Sequence, residues 1–187
     1  MAFEVIEIPL TTVSGPHSEG DVFFNLTSFQ IPARACKLVN MVMQVKRASS
    51  SSNEDIDDTK LGILFFQKNG TDTLGTLDDV ADITSANFTA NKYIGQKFLL
   101  MDSGQSSIDL DAIDEIFFYH QCGVWSQVTS NDDYGIPADM ILKGDAGNTV
   151  LYCAGVVHEG DLDGSGDPEA PNFLGTDNVK LILHVEY

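Results

Sequence analysis

The sequence predicts an all-β protein, an antiparallel β-sandwich of jelly-roll type with one or two short helices. Three observations point there. Several segments alternate apolar and polar residues with a period of two, as half-buried strands do. Eleven Phe and five Tyr, with many Val and Ile, favour strands. Turn signals recur at short intervals, and no long helical period separates them. A chain of 187 residues is long enough to bury a core, so one domain over 1–187 is expected, with an N-terminal arm over 1–20.

The elements follow in order. "FEVIEI" and "DVFFNLTSF" read as the first strands. In "KLVNMVMQVKR", Val39, Met41, Met43 and Val45 fall on one face. "KLGILFFQ" and "QKFLLM" are further strands. "TVLYCAGVV" is apolar on both sides, which predicts a central position. In the last segment, "NVKLILHVEY", Val179, Leu181, Leu183, Val185 and Tyr187 share one face, and Asn178, Lys180, His184 and Glu186 lie mainly on the other. Turns are expected at "SGP" 14–16, "KNGTD" 68–72 and "KGDAGN" 143–148, and a long loop at "SSSSNEDIDD" 49–58. "TLDDVADI" offers Thr76 as a helix N-cap with acids in the first turn. "IDLDAIDEIFFYHQCG" carries Ile113, Ile116, Phe117 and His120 at helical spacing, yet its aromatics suit a strand equally; both readings stay open.

Composition excludes several functions. An apolar share of 43% argues against whole-chain disorder. With 28 acids against 10 Lys plus Arg, the net charge of −18 is the wrong sign for phosphate backbones or anionic lipid, so no direct nucleic-acid or membrane partner is expected. No apolar run is long enough to span a bilayer as a helix. "MAFEVIEIPL" lacks the basic and apolar regions of a signal peptide, so export by the general secretory route is not expected. Cys36, Cys122 and Cys153 are odd in number and lie in apolar stretches, which reads as buried free thiols.

Candidate chemistry is sparse. In "HEGDLDGSGDPEAPN", Asp161, Asp163, Ser165, Gly166 and Asp167 match the first half of an EF-hand calcium loop. The second half fails: Asn172 stands where the bidentate Glu belongs, and Pro168 stiffens the middle. Asp161, Asp163 and Asp167 are therefore a weak calcium candidate, and a plain solvated acidic loop is the stronger reading. His120 with Cys122, and Cys153 with His158, allow a zinc site to be imagined, but no Cys-x-x-Cys pair supports it. "MDSGQSS" places Ser103 after an acid, a common turn composition. There is no Gly-x-Ser-x-Gly elbow, and "GSGDPE" lacks the lysine of a phosphate loop. The residues name no catalytic group and no resident cofactor, so an enzyme is not expected. Trp125 and "FFYH" have the composition of a sugar-binding face, although core packing accounts for them as well.

The order "KLVNMVMQVKR", "KLGILFFQKNGTDTLGTLDDVADITSANF", "NKYIGQKFLLMDSG", "NTVLYCAGVVHEG" and "NVKLILHVEY" resembles small virion structural proteins of tailed bacteriophages, of the capsid decoration or cement class. The resemblance covers mainly 37–103 and 148–187, with 105–145 departing as an insertion. It implies a non-enzymatic protein, assembled in the host cytoplasm into the virion. Its partner would be the major capsid protein, bound on the outer surface as a homo-oligomer, with a trimer favoured. The arm over 1–20 would then reach a neighbouring subunit. The alternative is a carbohydrate- or receptor-binding β-sandwich, assisted by calcium at the 158–172 loop.

Overall fold

The computed structural model describes residues 2–12, 15–16, 18, 20–46, 59–71, 73–77, 85–101, 107–109, 115–121, 140–159, 172–173 and 178–187. Its strands are β1 (Phe3–Leu10), β2 (Gly15–Pro16), β3 (Val22–Gln30), β4 (Ala35–Lys46), β5 (Thr59–Phe66), β6 (Tyr93–Met101), β7 (Ser107–Asp109), β8 (Glu115–Gln121), β9 (Met140–Lys143), β10 (Val150–Glu159), β11 (Asn172–Phe173) and β12 (Asn178–Glu186). A short helix α1 spans Ser85–Asn91 and a 3-10 turn Asp145–Gly147.

Eight long strands build two sheets. One is ordered β1-β12-β4-β8, extended by β7 and with β9 beside the first half of β4; the other is ordered β3-β10-β5-β6. The named pairings within both are antiparallel. The chain passes from one sheet to the other between β1 and β3, β3 and β4, β4 and β5, β6 and β8, β8 and β10, and β10 and β12. This is the jelly-roll arrangement, and the two sheets pack as a sandwich. Residues 105–145, which read as an insertion, supply β7, β8 and β9. For 115–121 the strand reading prevails over the helical one. The segment 3–10, within the expected arm, runs as a sheet strand paired along its whole length with β12.

The main core lies between the sheets. β12 contributes Val179, Leu181, Leu183 and Val185; β4 contributes Leu38, Met41, Met43 and Val45; β5 contributes Leu61, Ile63 and Phe65 from the facing sheet. A second, smaller core covers the outer side of the β3-β10-β5-β6 sheet. Leu64 and Phe66 of β5 and Ala154 of β10 meet Leu74, with Phe88 of α1 packed against them. These two cores explain why "KLGILFFQ" and "TVLYCAGVV" are apolar on both sides, and β10 is central as expected.

Two departures from strict alternation are bulges. Between His184 and Val185 the β12–β4 register shifts, pairing Asn40 with His184 but Leu38 with Val185. Leu38 therefore takes the core position and Val39, expected inside, is 45% exposed. Tyr187 is likewise exposed, because it lies beyond the last residue of β12. In β3, register shifts opposite Gly155 let two consecutive residues, Phe23 and Phe24, both enter the core edge to face.

α1 was not foreshadowed by "TLDDVADI": Leu77 bridges to Val22, and residues 78–84 lie outside the described residues. The helix "SANFTAN" has little intrinsic helix preference. It is held from outside, through Phe88 on Phe66 and Tyr93. Two buried or half-buried asparagines fix the loop beneath it. Asn91 Oδ1 accepts the N–H groups of Gly70 (2.6 Å) and Thr71 (3.2 Å), while its amide donates to Thr71 Oγ1 (2.8 Å). Asn25 Oδ1 accepts the Leu74 N–H at 2.6 Å, and its amide donates to the Gly75 carbonyl at 2.7 Å.

Lys92, just past α1, has φ of 55° and donates to Asp145 at 2.7 Å, tying the helix end to the 3-10 turn. The hydrogen bond from Lys92, with its charge and that of Lys68, holds the Asp145 carboxyl below the ordinary carboxylate value. A depressed folded-state value means that the pair's contribution is complete above the unfolded carboxylate value and is lost as pH falls through the lower folded one. Asp145→Asn is therefore expected to lower the melting temperature slightly at neutral pH and not at all in strong acid. Melting curves across that range check it; an equal loss at both ends would show that the pair is not the cause.

Candidate functional site: an exposed apolar sheet end

The described residues offer no chemical centre. They contain no group of three or more His, Cys, Asp or Glu able to hold a metal. Asp161, Asp163 and Asp167, and with them the calcium reading, lie outside the described residues, as do Ser103, Cys122, Trp125 and His17. Of the imagined zinc ligands, His120 sits in β8 and Cys153 in β10, on opposite sheets. Cys153 is fully buried, and its thiol donates to the Thr27 carbonyl at 3.7 Å. Burial raises its pKa, and burial, with the Glu4 charge second, pushes Cys36 up to about 11. A thiol so disposed is not ionised at neutral pH and is a poor nucleophile. Both cysteines are free and buried, as their apolar setting predicted. No helix among the described residues is long and apolar enough to cross a membrane.

What stands out is the end of the sandwich where β1 starts and β12 stops. Phe3 is 68% exposed, Val5 57%, Ile141 52% and Val39 45%. The backbone register brings these residues together. Phe3 pairs with Glu186, Glu186 with Lys37, and Lys37 with Ile141, so one row crosses four strands. The next row runs from Val5 to His184 to Asn40, beside the bulged Val39. Side chains alternate faces along each strand, and Ile6, Ile8 and Leu10 occupy the core side of β1. Phe3 and Val5 are therefore turned outward. The result is an apolar surface with a polar strip through its middle, Glu186 and Lys37 in one row and His184 and Asn40 in the next. Exposed apolar residues scattered singly are ordinary, but four gathered at one sheet end make it the candidate contact surface.

Alternation in "FEVIEI" shows two faces but not which one is buried. Val39 and Tyr187 were expected inside. The one available signal was Pro9, since proline within a strand marks an edge. No family model matches the chain, and neither do curated proteins or solved structures.

Proposed function

We propose that this protein is a non-enzymatic virion structural protein, a decoration or cement protein that seats on the outer surface of a phage head and stabilises it. The observation that carries the reading is the exposed apolar sheet end on a rigid jelly-roll sandwich. It offers an apolar contact whose rows of residues cross four strands of one sheet. The fold adds support by analogy only, since jelly rolls also serve lectins and cupins. A net charge of −18 suits a capsid exterior better than a lumen packed with DNA. Stabilisation then follows by linkage: a protein that binds only the assembled shell shifts the equilibrium toward it, and many linked copies add avidity.

The test is co-sedimentation of the purified protein with expanded, DNA-free heads of tailed phages. Binding is expected, and Phe3→Ser with Ile141→Ser should weaken it by about tenfold or more, in line with the apolar area withdrawn. Absence of binding, or binding indifferent to both substitutions while the melting temperature is unchanged, would overturn the reading.

A further inference from the structure

We propose that two copies of this chain associate through β1, joining their β1-β12-β4-β8 sheets into one continuous antiparallel sheet, with Val5 facing Val5 of the second copy across a two-fold axis. β1 stands at the edge of its sheet, and among the described residues only β12 pairs with it. An edge strand presents a row of backbone groups to any strand that can match them.

The identity of that row follows from one pair of bonds. Ala2 and Tyr187 exchange both backbone hydrogen bonds, at 3.0 Å each. From there the β1–β12 register steps without a shift from Phe3↔Glu186 to Leu10↔Val179. In an antiparallel ladder, pairs that exchange both bonds alternate with pairs that exchange none. Glu4, Ile6, Ile8 and Leu10 therefore bond to β12, while Phe3, Val5, Glu7 and Pro9 turn their backbone groups to the free edge. Pro9 has no N–H, so the edge offers donors at Phe3, Val5 and Glu7 only.

These three donors fix a self-complementary register. With Val5 on the two-fold axis, Phe3 pairs with Glu7 and Glu7 with Phe3 of the second copy, and every edge donor of both chains meets a carbonyl. Moving the axis to Ile6 would set Phe3 against Pro9, which cannot donate. Moving it to Glu4 would set two carboxylates against each other. In the Val5 register Glu4 faces Ile6 and Glu7 faces Phe3, so no like charges are opposed. The outward side chains agree with the backbone: Val5, exposed in the single chain, gains an apolar partner on the axis. Self-complementarity selects a second copy over an unrelated extended segment. The inference rests on the strand alone and holds whether or not the protein belongs to a virion.

Light scattering after size exclusion, over a range of protein concentrations and salt, tests it. The expected mass is twice the 20.3 kDa of one chain, and salt should favour it by screening the charge of −18. In Val5→Pro only an edge-facing N–H is removed, so the β1–β12 ladder stays intact. Self-association should weaken about tenfold or more, with the melting temperature of the monomer unchanged. Val5→Cys should form an oxidised dimer, because pairs that exchange both bonds stand about 5.5 Å apart, within disulfide reach. Glu7→Cys should not. A monomer at every concentration, a trimer, or a dimer that survives Val5→Pro would overturn the proposal. If Val5→Pro fails to fold, equal cross-linking by Val5→Cys and Glu7→Cys would overturn it instead.

Discussion

Gly155→Ala is expected to destabilise the fold by about 3 kcal/mol, lowering the melting temperature by roughly 10 °C. Gly155 lies in the middle of β10, where the register with β3 shifts on either side of it. The Phe24 ring occupies the space that any other residue needs for its Cβ, and both Cε1 and Cδ1 would be in collision with it. Phe24 cannot swing away freely, because it is fully buried and lies edge to face with Phe23 at 5.9 Å. The lost ingredient is therefore room, and not backbone freedom. A double-mutant cycle separates these causes. In the presence of Phe24→Leu, which shortens the offending ring, Gly155→Ala should lose most of its effect. Additive losses in urea melts would show that the collision is not the cause.

Asn91→Ala should cost a comparable amount, about 2–4 kcal/mol, and should act locally first. Asn91 is completely buried, and its side chain satisfies two backbone donors of the 68–71 turn as well as the Thr71 hydroxyl. Alanine would remove three hydrogen bonds at once and empty the enclosed space of the Asn91 side chain. Gly70 itself is exposed and Thr71 half-buried, so water can meet part of the loss. The turn underlies Leu74, part of the smaller core on β5 and β10, so that core should loosen with it. Hydrogen exchange of the Gly70 and Thr71 amides should accelerate more than that of Leu183 in the main core. Uniform acceleration across both cores would show that the turn and the sandwich unfold as one unit.

Legibility in the sequence divided along a physical line. Properties carried by the composition of a single segment were readable. β10 and β5 are apolar on both sides because two cores enclose them, and the inward set Val179, Leu181, Leu183 and Val185 of β12 follows from its own alternation. Properties set by a partner strand were not. The bulge that turns Val39 outward depends on its register with β12, and no residue type announces it. Phe23 and Phe24 would occupy opposite faces of a regular strand, and only the irregular pairing around Gly155 admits both to the core. α1 owes its existence to contacts of Phe88 rather than to its own residues, so propensity could not find it. The contact surface was missed for the same reason. Phe3 and Ile141 lie far apart in the chain, and only the rows through β12 and β4 bring them onto one face.

The pairing of β1 with β12 also sets an order of events during synthesis. β1 leaves the ribosome long before the strand that covers one of its edges, Asn178–Glu186. At roughly 5–20 residues per second that separation is a wait on the order of 10–40 seconds. Throughout it, an apolar strand carrying Phe3, Val5, Ile6 and Ile8 lacks the partner that β12 gives one of its edges in the finished fold. β4 waits equally for the same strand, since β12 lies between them. The sandwich is therefore expected to close by insertion of β12 between two strands made much earlier. A nascent chain stalled before residue 178 should bind chaperones through Phe3–Leu10, and release from them should coincide with the arrival of β12.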